Sequence, residues 1–532
     1  MQKTKVRDFH YGPGIAEVDT VCGRVRGVIR NGVYTFLGLT YAEAGRFEEP
    51  HPPTSWEGVK EAVVEGPACP SFGSNQLPAV QGLGCVIGPP VVYPESEACQ
   101  TMKLWTPSLN PNAKKPVMFW LHGGGSAFGS SVEFNGEEMA AFGDVVVVAS
   151  NHRLNCLALL DLEAYGEQYR NSCNLEFLDI IEALKWVQSN IRAFGGDPEN
   201  VTLFGHSGGG GKVINLMQMA AADGLYHKVI IMAGMPPEPD IFPPKDCSAK
   251  IVARTLELLG IAPEQVEQLK TVPYAELSIK ALQAMRECTT AEGYRATWSQ
   301  VTSEFFPGSP FDVGLRPEVK DIPVFIGSSQ GERNYDPTRW SSDPAFRGNR
   351  HDWSQEQKDR AMQLWFGDRC NEVREAYCSV YPDRDPVDAI FTDMGHRHSS
   401  MRFVDMKSAQ GGAPCYMYLF YRELPVGGGQ IPWHGAECDF AFHQAEYSDA
   451  RFIPDGETAR IQDEMCACWT TFAHTGSPNH PGVPEIPPSY QGHYATIIWD
   501  RETTVRVNHD LKLVGLLPEL MLPNDNSAYG NG

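Results

Sequence analysis

Several stretches of this chain are apolar for only three to six residues at a time. Val117-Met118-Phe119-Trp120-Leu121, the four valines of Asp144 to Ser150, Val201–Phe204, Val229–Met232, Val324–Ile326 and Tyr416–Tyr421 are of this kind. Runs this short and continuous are what strands buried on both faces require. Asn174 to Phe194 differs: Leu178, Ile181, Leu184, Val187 and Ile191 fall on one helical stripe. Val18 to Phe36 is broken at Gly23 and at Asn31-Gly32, and it predicts a meander of short strands. Strands alternating with helices predict an α/β fold, with a central, mostly parallel sheet covered by helices on both faces.

Two departures interrupt this alternation. Residues 66–99 are rich in Gly, Pro and Ser and predict a long loop. The prolines from Pro236-Pro237 to Pro243-Pro244 end the regular pattern, and helical stretches are predicted around 248–260, 264–285 and 354–379. These fall in insertions at about 236–320 and 340–400. In folds of this class ligands bind at the carboxyl edge of the sheet, so the insertions are expected to cap that edge and wall a pocket. A chain of 532 residues would on length alone divide into roughly three or four domains. The candidate chemistry spreads from His122 to His434 and must converge, so one domain over 1–532 is expected.

That chemistry centres on Val201-Thr202-Leu203-Phe204-Gly205-His206-Ser207-Gly208-Gly209. An apolar strand leads into Gly-x-Ser-x-Gly, and a helix-like run from Lys212 to Ala222 follows. Such a turn lifts a serine hydroxyl off the end of a strand, and small residues two positions either side let the backbones approach. It also aims the Gly208 N–H toward a developing oxyanion. A second match, Gly327-Ser328-Ser329-Gln330-Gly331, leads toward Pro337, which opposes a following helix. Ser207 is therefore the expected nucleophile.

A serine hydroxyl needs a base, and a histidine base needs a carboxylate to hold its tautomer. In strand–turn–helix sites of this kind the order is Ser, then Asp or Glu, then His. Downstream lie Glu332, just past Val324–Ile326, and His434 in Pro432-Trp433-His434-Gly435-Ala436-Glu437. Glu437 is the rival partner for His434. Upstream, His122-Gly123-Gly124-Gly125 follows a buried strand and supplies further amide donors.

Charge and composition narrow the partners. A net charge of −22 disfavours nucleic acid and anionic membranes. No run of 18 apolar residues occurs, so no membrane span is expected. Met1 to His10 is basic without an apolar core, which reads as no signal peptide and a cytoplasmic location. The 14 cysteines include no C-x-x-C pair, and Cys466-Ala467-Cys468 is too close for the common zinc spacing. His396 and His398 flank one arginine and lack a nearby set of cysteines or carboxylates. No metal and no organic cofactor is expected, and the chain is expected as a monomer or homodimer.

The chain resembles the type-B carboxylesterase family from about residue 18 to 515. The specific pieces are Phe36–Ala42, Arg46-Phe47, Ser96–Cys99, His122–Gly125, Asn151–Leu154, Ala183–Gln188, Phe194–Pro198, Val201–Ser207, Ile326–Glu332 and His434–Glu437. The resemblance implies an α/β-hydrolase fold and a carboxylesterase acting on a small-molecule ester. Carried over, Ser207 is the nucleophile, Glu332 the acid and His434 the base, with Gly123, Gly124 and Gly208 as oxyanion donors. It makes Glu437 a supporting buried carboxylate, and Cys69 and Cys99 match a long-loop disulfide. Some positions depart from the family. His206 and Gly208 replace the usual glutamate and alanine around the serine. Ser126 stands where an aromatic often follows the glycines, Glu176 replaces a glycine, and Arg333 replaces the glycine after the acid. His206 would put a titratable ring beside the nucleophile and tune its pH response. Residues 70–98 contain no tryptophan, so the cation–π partner of a choline ester is missing. Acyl transfer or lactone chemistry on the same triad, and a non-catalytic scaffold, are the competing readings.

Overall fold

A computed structural model describes residues 8–71, 94–234, 245–292, 298, 300–332, 350–392, 395–425, 429–445 and 456–517. The proline cluster 236–244, most of the 66–99 loop and Arg333 lie outside the described residues. The chain forms two compact units, one from residues 1–76, 91–230 and 240–319, the other from 77–90, 231–239 and 320–532.

The main strands that begin in the first unit are β1 (Phe9–His10), β2 (Val28–Arg30), β3 (Val33–Thr40), β4 (Thr101–Thr106), β5 (Lys115–Leu121), β6 (Val146–Ser150), β7 (Gly196–His206) and β8 (Lys228–Met232). They lie side by side in the order β1-β2-β3-β4-β6-β5-β7-β8. The early strands are antiparallel to their neighbours, and β6-β5-β7 are parallel. The predicted meander is present: Asn31 and Gly32 both take positive φ, 52° and 82°, between paired Arg30 and Val33. That is a type I′ hairpin turn, which Asn-Gly favours because both central residues need φ above zero. A small sheet of Glu17–Asp19, Arg24–Arg26 and Val59–Glu61 stands apart. All of β6 and residues 116–121 of β5 are buried, as their unbroken apolar sequence requires.

The helix predicted over Asn174 to Phe194 runs from Leu175 to Asn190 and closes in a 3₁₀ turn at Ile191–Phe194. The expected helix over 264–285 is two elements, a 3₁₀ stretch at Pro263–Lys270 and a helix at Tyr274–Glu292. Pro273 separates them, because it has no N–H to give and disfavours helical backbone at Val272. Apolar side chains of Lys245–Leu259 and Tyr274–Glu292, among them Val252, Leu256, Leu277 and Ala281, pack against Phe47, Leu154, Leu157 and Tyr169.

The second unit carries β9 (Val324–Ser329), β10 (Cys415–Phe420), β11 (Ala495–Trp499) and β12 (Thr504–Val507), in that order. β9, β10 and β11 are parallel and β12 is antiparallel to β11. Trp469 fills the space over these strands, 4.9 Å from Phe325, 5.1 Å from Tyr418 and 5.6 Å from Trp499 between ring centroids. Tilted aromatic pairs at such distances are each worth about 0.5–1.5 kcal/mol beyond their burial. The helix expected over 354–379 is also two, Gln355–Phe366 and Cys370–Val380. Gly367, at φ 53° and ψ −134°, breaks it in a conformation that a side chain disfavours. Ser354 and Gln357 form a reciprocal capping box at its start. Among the described residues, no helix is long and apolar enough to cross a membrane.

Candidate active site

β7 ends at His206 and a helix begins at Gly208, so Ser207 alone makes the turn. Its φ of 56° and ψ of −126° lie where non-glycine residues rarely go. Such a conformation costs about 1–3 kcal/mol and persists only when its surroundings impose it. They do so through glycines. A Cβ on Gly205 would lie 2.5 Å from the Gly209 carbonyl carbon, and one on Gly209 would overlap Leu121 O. The helix, Gly208–Leu216, starts earlier and ends sooner than the expected Lys212–Ala222 run, with only a 3₁₀ turn at Ala220–Ala222.

Ser329, in the second Gly-x-Ser-x-Gly match, is not on such a turn. It is the last residue of β9, fully buried, and its Oγ donates to Glu437 Oε2 at 2.7 Å.

The glycine loop lies against the elbow. A Cβ on Gly123 would lie 3.1 Å from His206 O and 3.3 Å from Ser207 Cβ. A Cβ on Gly208 would lie 2.5 Å from Gly125 Cα and overlap Gly125 N. Gly124 takes φ +89° and its carbonyl accepts from Ala127 and Phe128 N–H. The Gly123 and Gly124 N–H groups donate to no backbone or side-chain group among the described residues, and Gly208 N–H opens a helix, where the first amides lack an intrahelical acceptor. The loop's peptides are held from behind. His122 Nδ1 lies 2.9 Å from Gly123 O, and its ring stacks on His152 at 4.5 Å and 10°. Burial, with His152 and Lys212 adding to it, pushes His122 well below the usual histidine range. The ring is therefore neutral, and with Nε2 unpaired the Nδ1–H tautomer donates to Gly123 O.

Beneath the loop is a polar cluster, buried except at Ser126, that the sequence did not reveal as a unit. Glu176 Oε2 accepts from Ser126 Oγ and Gln300 Nε2, each at 2.8 Å. Glu176 Oε1 lies 3.3 Å from Lys212 Nζ and 3.5 Å from His152 Nε2. Lys212 Nζ donates to Gly125 O at 2.8 Å and to His122 O at 3.3 Å. Ser126 and Glu176, each a departure from the family pattern, thus contact each other. The signal available in the sequence was a lone lysine amid the small and apolar residues Gly208–Ile214.

In the second unit His434 Nδ1 bonds Glu332 Oε2. The Glu332 side chain is fully buried, and that of His434 is 29% exposed. Ser329 N–H donates to Glu332 Oε1 at 2.6 Å, and Gly331 N–H to Pro432 O at 3.0 Å, tying the acid's turn to the histidine's loop. Glu437 is not the histidine's partner. It is fully buried and bonded by Ser329, and burial followed by the nearby Glu332 charge pushes it up to about 8. The His396 ring lies 5.9 Å from that of His434.

Two quoted family pieces are structural ties. Arg153 clasps Asp179 through Nε at 2.9 Å and Nη2 at 2.6 Å and also donates to Glu48 O at 2.7 Å. Arg46 Nε reaches Glu97 at 2.7 Å, and its Nη1 donates to Leu269 O at 2.8 Å. The disulfide implied for Cys69 and Cys99 is not formed: both are buried free thiols, and Cys69 Sγ accepts from Leu154 N–H at 3.2 Å. Burial and Cys69 hold the Cys99 thiol well above its usual range. His206, 8% exposed, ends β7 beside Ser207.

A strand that ends in a strained serine, parallel neighbours and a glycine loop define an α/β-hydrolase fold. Comparison with solved structures agrees. The chain is similar to an esterase from anaerobic Clostridium hathewayi that can hydrolyse aliphatic aromatic polyesters, with 37% identity and a TM-score of 0.87 over 97% of this chain and 100% of that one. It is 30% identical to the para-nitrobenzyl esterase of Bacillus subtilis over 92% of this chain and 95% of the relative. It is 29% identical to human carboxylesterase 3 over 90% and 86%. The carboxylesterase family pattern matches residues 15–512. The chain belongs to the carboxylesterase family and is an ester-hydrolysing enzyme.

The fit of Gly208 against Gly125 makes an expectation. Gly208→Ala should push the loop off the elbow and lower kcat for an ester by about 10²-fold, the size of losing one oxyanion donor. Circular dichroism should report an unchanged fold, and an unaltered kcat would mean that the loop yields freely.

Proposed function

We propose that this chain is a serine carboxylesterase working through an acyl-enzyme. Ser207 Oγ attacks the ester carbonyl while His434 Nε2 takes its proton. Glu332 holds Nδ1 and stabilises the imidazolium that forms. The N–H groups of Gly123, Gly124 and Gly208 receive the oxyanion. His434 then returns the proton to the leaving alcohol, and water repeats the sequence on the acyl-enzyme. The observation that carries this reading is the strained Ser207 turn with the glycine loop packed against it. The His434–Glu332 pair and the full-length likeness to esterases support it. Residues of about 236–320 and 340–400 would wall the pocket.

The likeness to a polyester-hydrolysing esterase favours substrates with bulky acyl groups, including oligomeric aromatic esters. The test is turnover of p-nitrophenyl esters from acetate to decanoate beside a terephthalate diester, with methanol added as a competing acceptor. Free acid as the main product is expected. Methyl ester as the main product in dilute methanol would make the enzyme an acyltransferase, and no turnover of any ester would overturn the catalytic reading.

A further inference from the structure

The esterase reading needs amides that already point at the oxyanion before the substrate arrives. Glycines do not hold a direction by themselves, because they populate many backbone conformations. Something behind the loop must therefore fix it. A trans peptide is planar, so its N–H points opposite to its C=O. Whatever grips the His122 carbonyl sets the direction of the Gly123 N–H, and whatever grips the Gly123 carbonyl sets that of Gly124. His122 Nδ1 performs the second task at 2.9 Å. The first belongs to Lys212 Nζ, 3.3 Å from His122 O and 2.8 Å from Gly125 O.

Lys212 lies one helical turn beyond Gly208, on the helix that Ser207 initiates. The nucleophile, one oxyanion amide and the clamp thus share one rigid element. A lysine 2% exposed must be paired or neutralised. Burial pulls it down, and Glu176 pulls it back up. Glu176, completely buried, is in turn fixed by Ser126 and Gln300 at 2.8 Å each. His152, held neutral by burial, adds no second positive charge. Hydrogen bonds from a charged donor are roughly twice as strong as neutral ones. They also polarise the peptide they grip, so its N–H becomes a better donor.

We propose that Lys212, anchored by Glu176, is a positioning residue that aims the glycine-loop amides at the oxyanion. The inference rests on the esterase reading above. It treats the exchange of family residues at 126 and 176 as one device rather than separate drift.

The test is Lys212→Met, compared with wild type and Ser207→Ala on a p-nitrophenyl ester. The expected result is a kcat lower by about 10²-fold with KM within about twofold, since the clamp acts on the transition state. Affinity for an aryl trifluoromethyl ketone, which forms a tetrahedral adduct with the serine, should fall by the same factor. A folded Lys212→Met with kcat and inhibitor affinity near wild type would overturn the proposal. The double variant Glu176→Gln/Lys212→Met buries no lone charge and carries the test if the single variant does not fold. The pair there is neutral but the carbonyls remain ungripped, so kcat should stay low; recovery to the wild-type value would reduce the pair to a stabilising role and overturn the proposal. Wild type as inactive as Ser207→Ala would instead sink the esterase reading and the inference with it.

Discussion

Ser207→Ala should lose ester turnover by about 10⁴- to 10⁶-fold, the scale on which removing one member of a catalytic triad acts elsewhere. The residual rate should stay above that of water, because amide donors and substrate binding survive the loss of the hydroxyl. The substitution is expected to leave the fold intact and even to relieve it of little: alanine at 207 still has a Cβ and still pays for φ 56°. Stability by denaturant titration should therefore be close to wild type while kcat collapses. Retained turnover in this variant would dismiss Ser207 as the nucleophile. Ser329 could not easily take over, since its hydroxyl is engaged with Glu437 and fully buried.

The second large effect separates Glu332, 102 residues from His434 in sequence, from Glu437, which lies in the histidine's own segment. Glu332→Gln should lower kcat by about 10⁴-fold, as an amide in place of the acid favours the wrong histidine tautomer. Glu437→Gln should change kcat by about tenfold or less, because Glu437 bonds Ser329 and not the histidine. It should instead alter stability against pH. Burial above all raises the folded Glu437 carboxyl to about 8, from the ordinary glutamate value of 4.5. Between these values the unfolded chain has released a proton that the folded chain retains, so stability falls as pH rises from about 4.5 to about 8. Glutamine does not titrate, and Glu437→Gln should flatten that fall. Denaturant midpoints at pH 5 and pH 8 measure it. An activity loss in Glu437→Gln greater than in Glu332→Gln would exchange the two roles.

Most of the sheet was legible because parallel strands buried on both faces leave unbroken apolar runs, as in Val117–Leu121 and Val146–Val148. The elbow was legible because its geometry demands glycines at fixed offsets from Ser207. Helix ends were read less well. Pro273 and Gly367 each stop a helix that the apolar periodicity alone would carry through, although both residues carry the physical signal for a stop. The partnership of Glu332 with His434 spans 102 residues and came from a family resemblance rather than from spacing. The cluster of Ser126, Glu176, Lys212 and Gln300 was illegible for a related reason. Each member is an ordinary polar residue in its own segment, and only folding makes them neighbours. The disulfide implied by resemblance shows the converse risk, for Cys69 and Cys99 match in sequence and stay reduced in the structure.

The missing side chain at position 208 has an evolutionary consequence. With Gly125 Cα only 2.5 Å from where a Cβ would stand, alanine cannot enter at 208 while the glycine loop keeps its place. Lys212 in turn holds that loop through Gly125 O. Positions in such direct contact are epistatic, and their effects do not add. A lineage passing between glycine and alanine at this site must therefore loosen the clamp first. The order of substitutions along that path is constrained even though each residue alone is chemically ordinary.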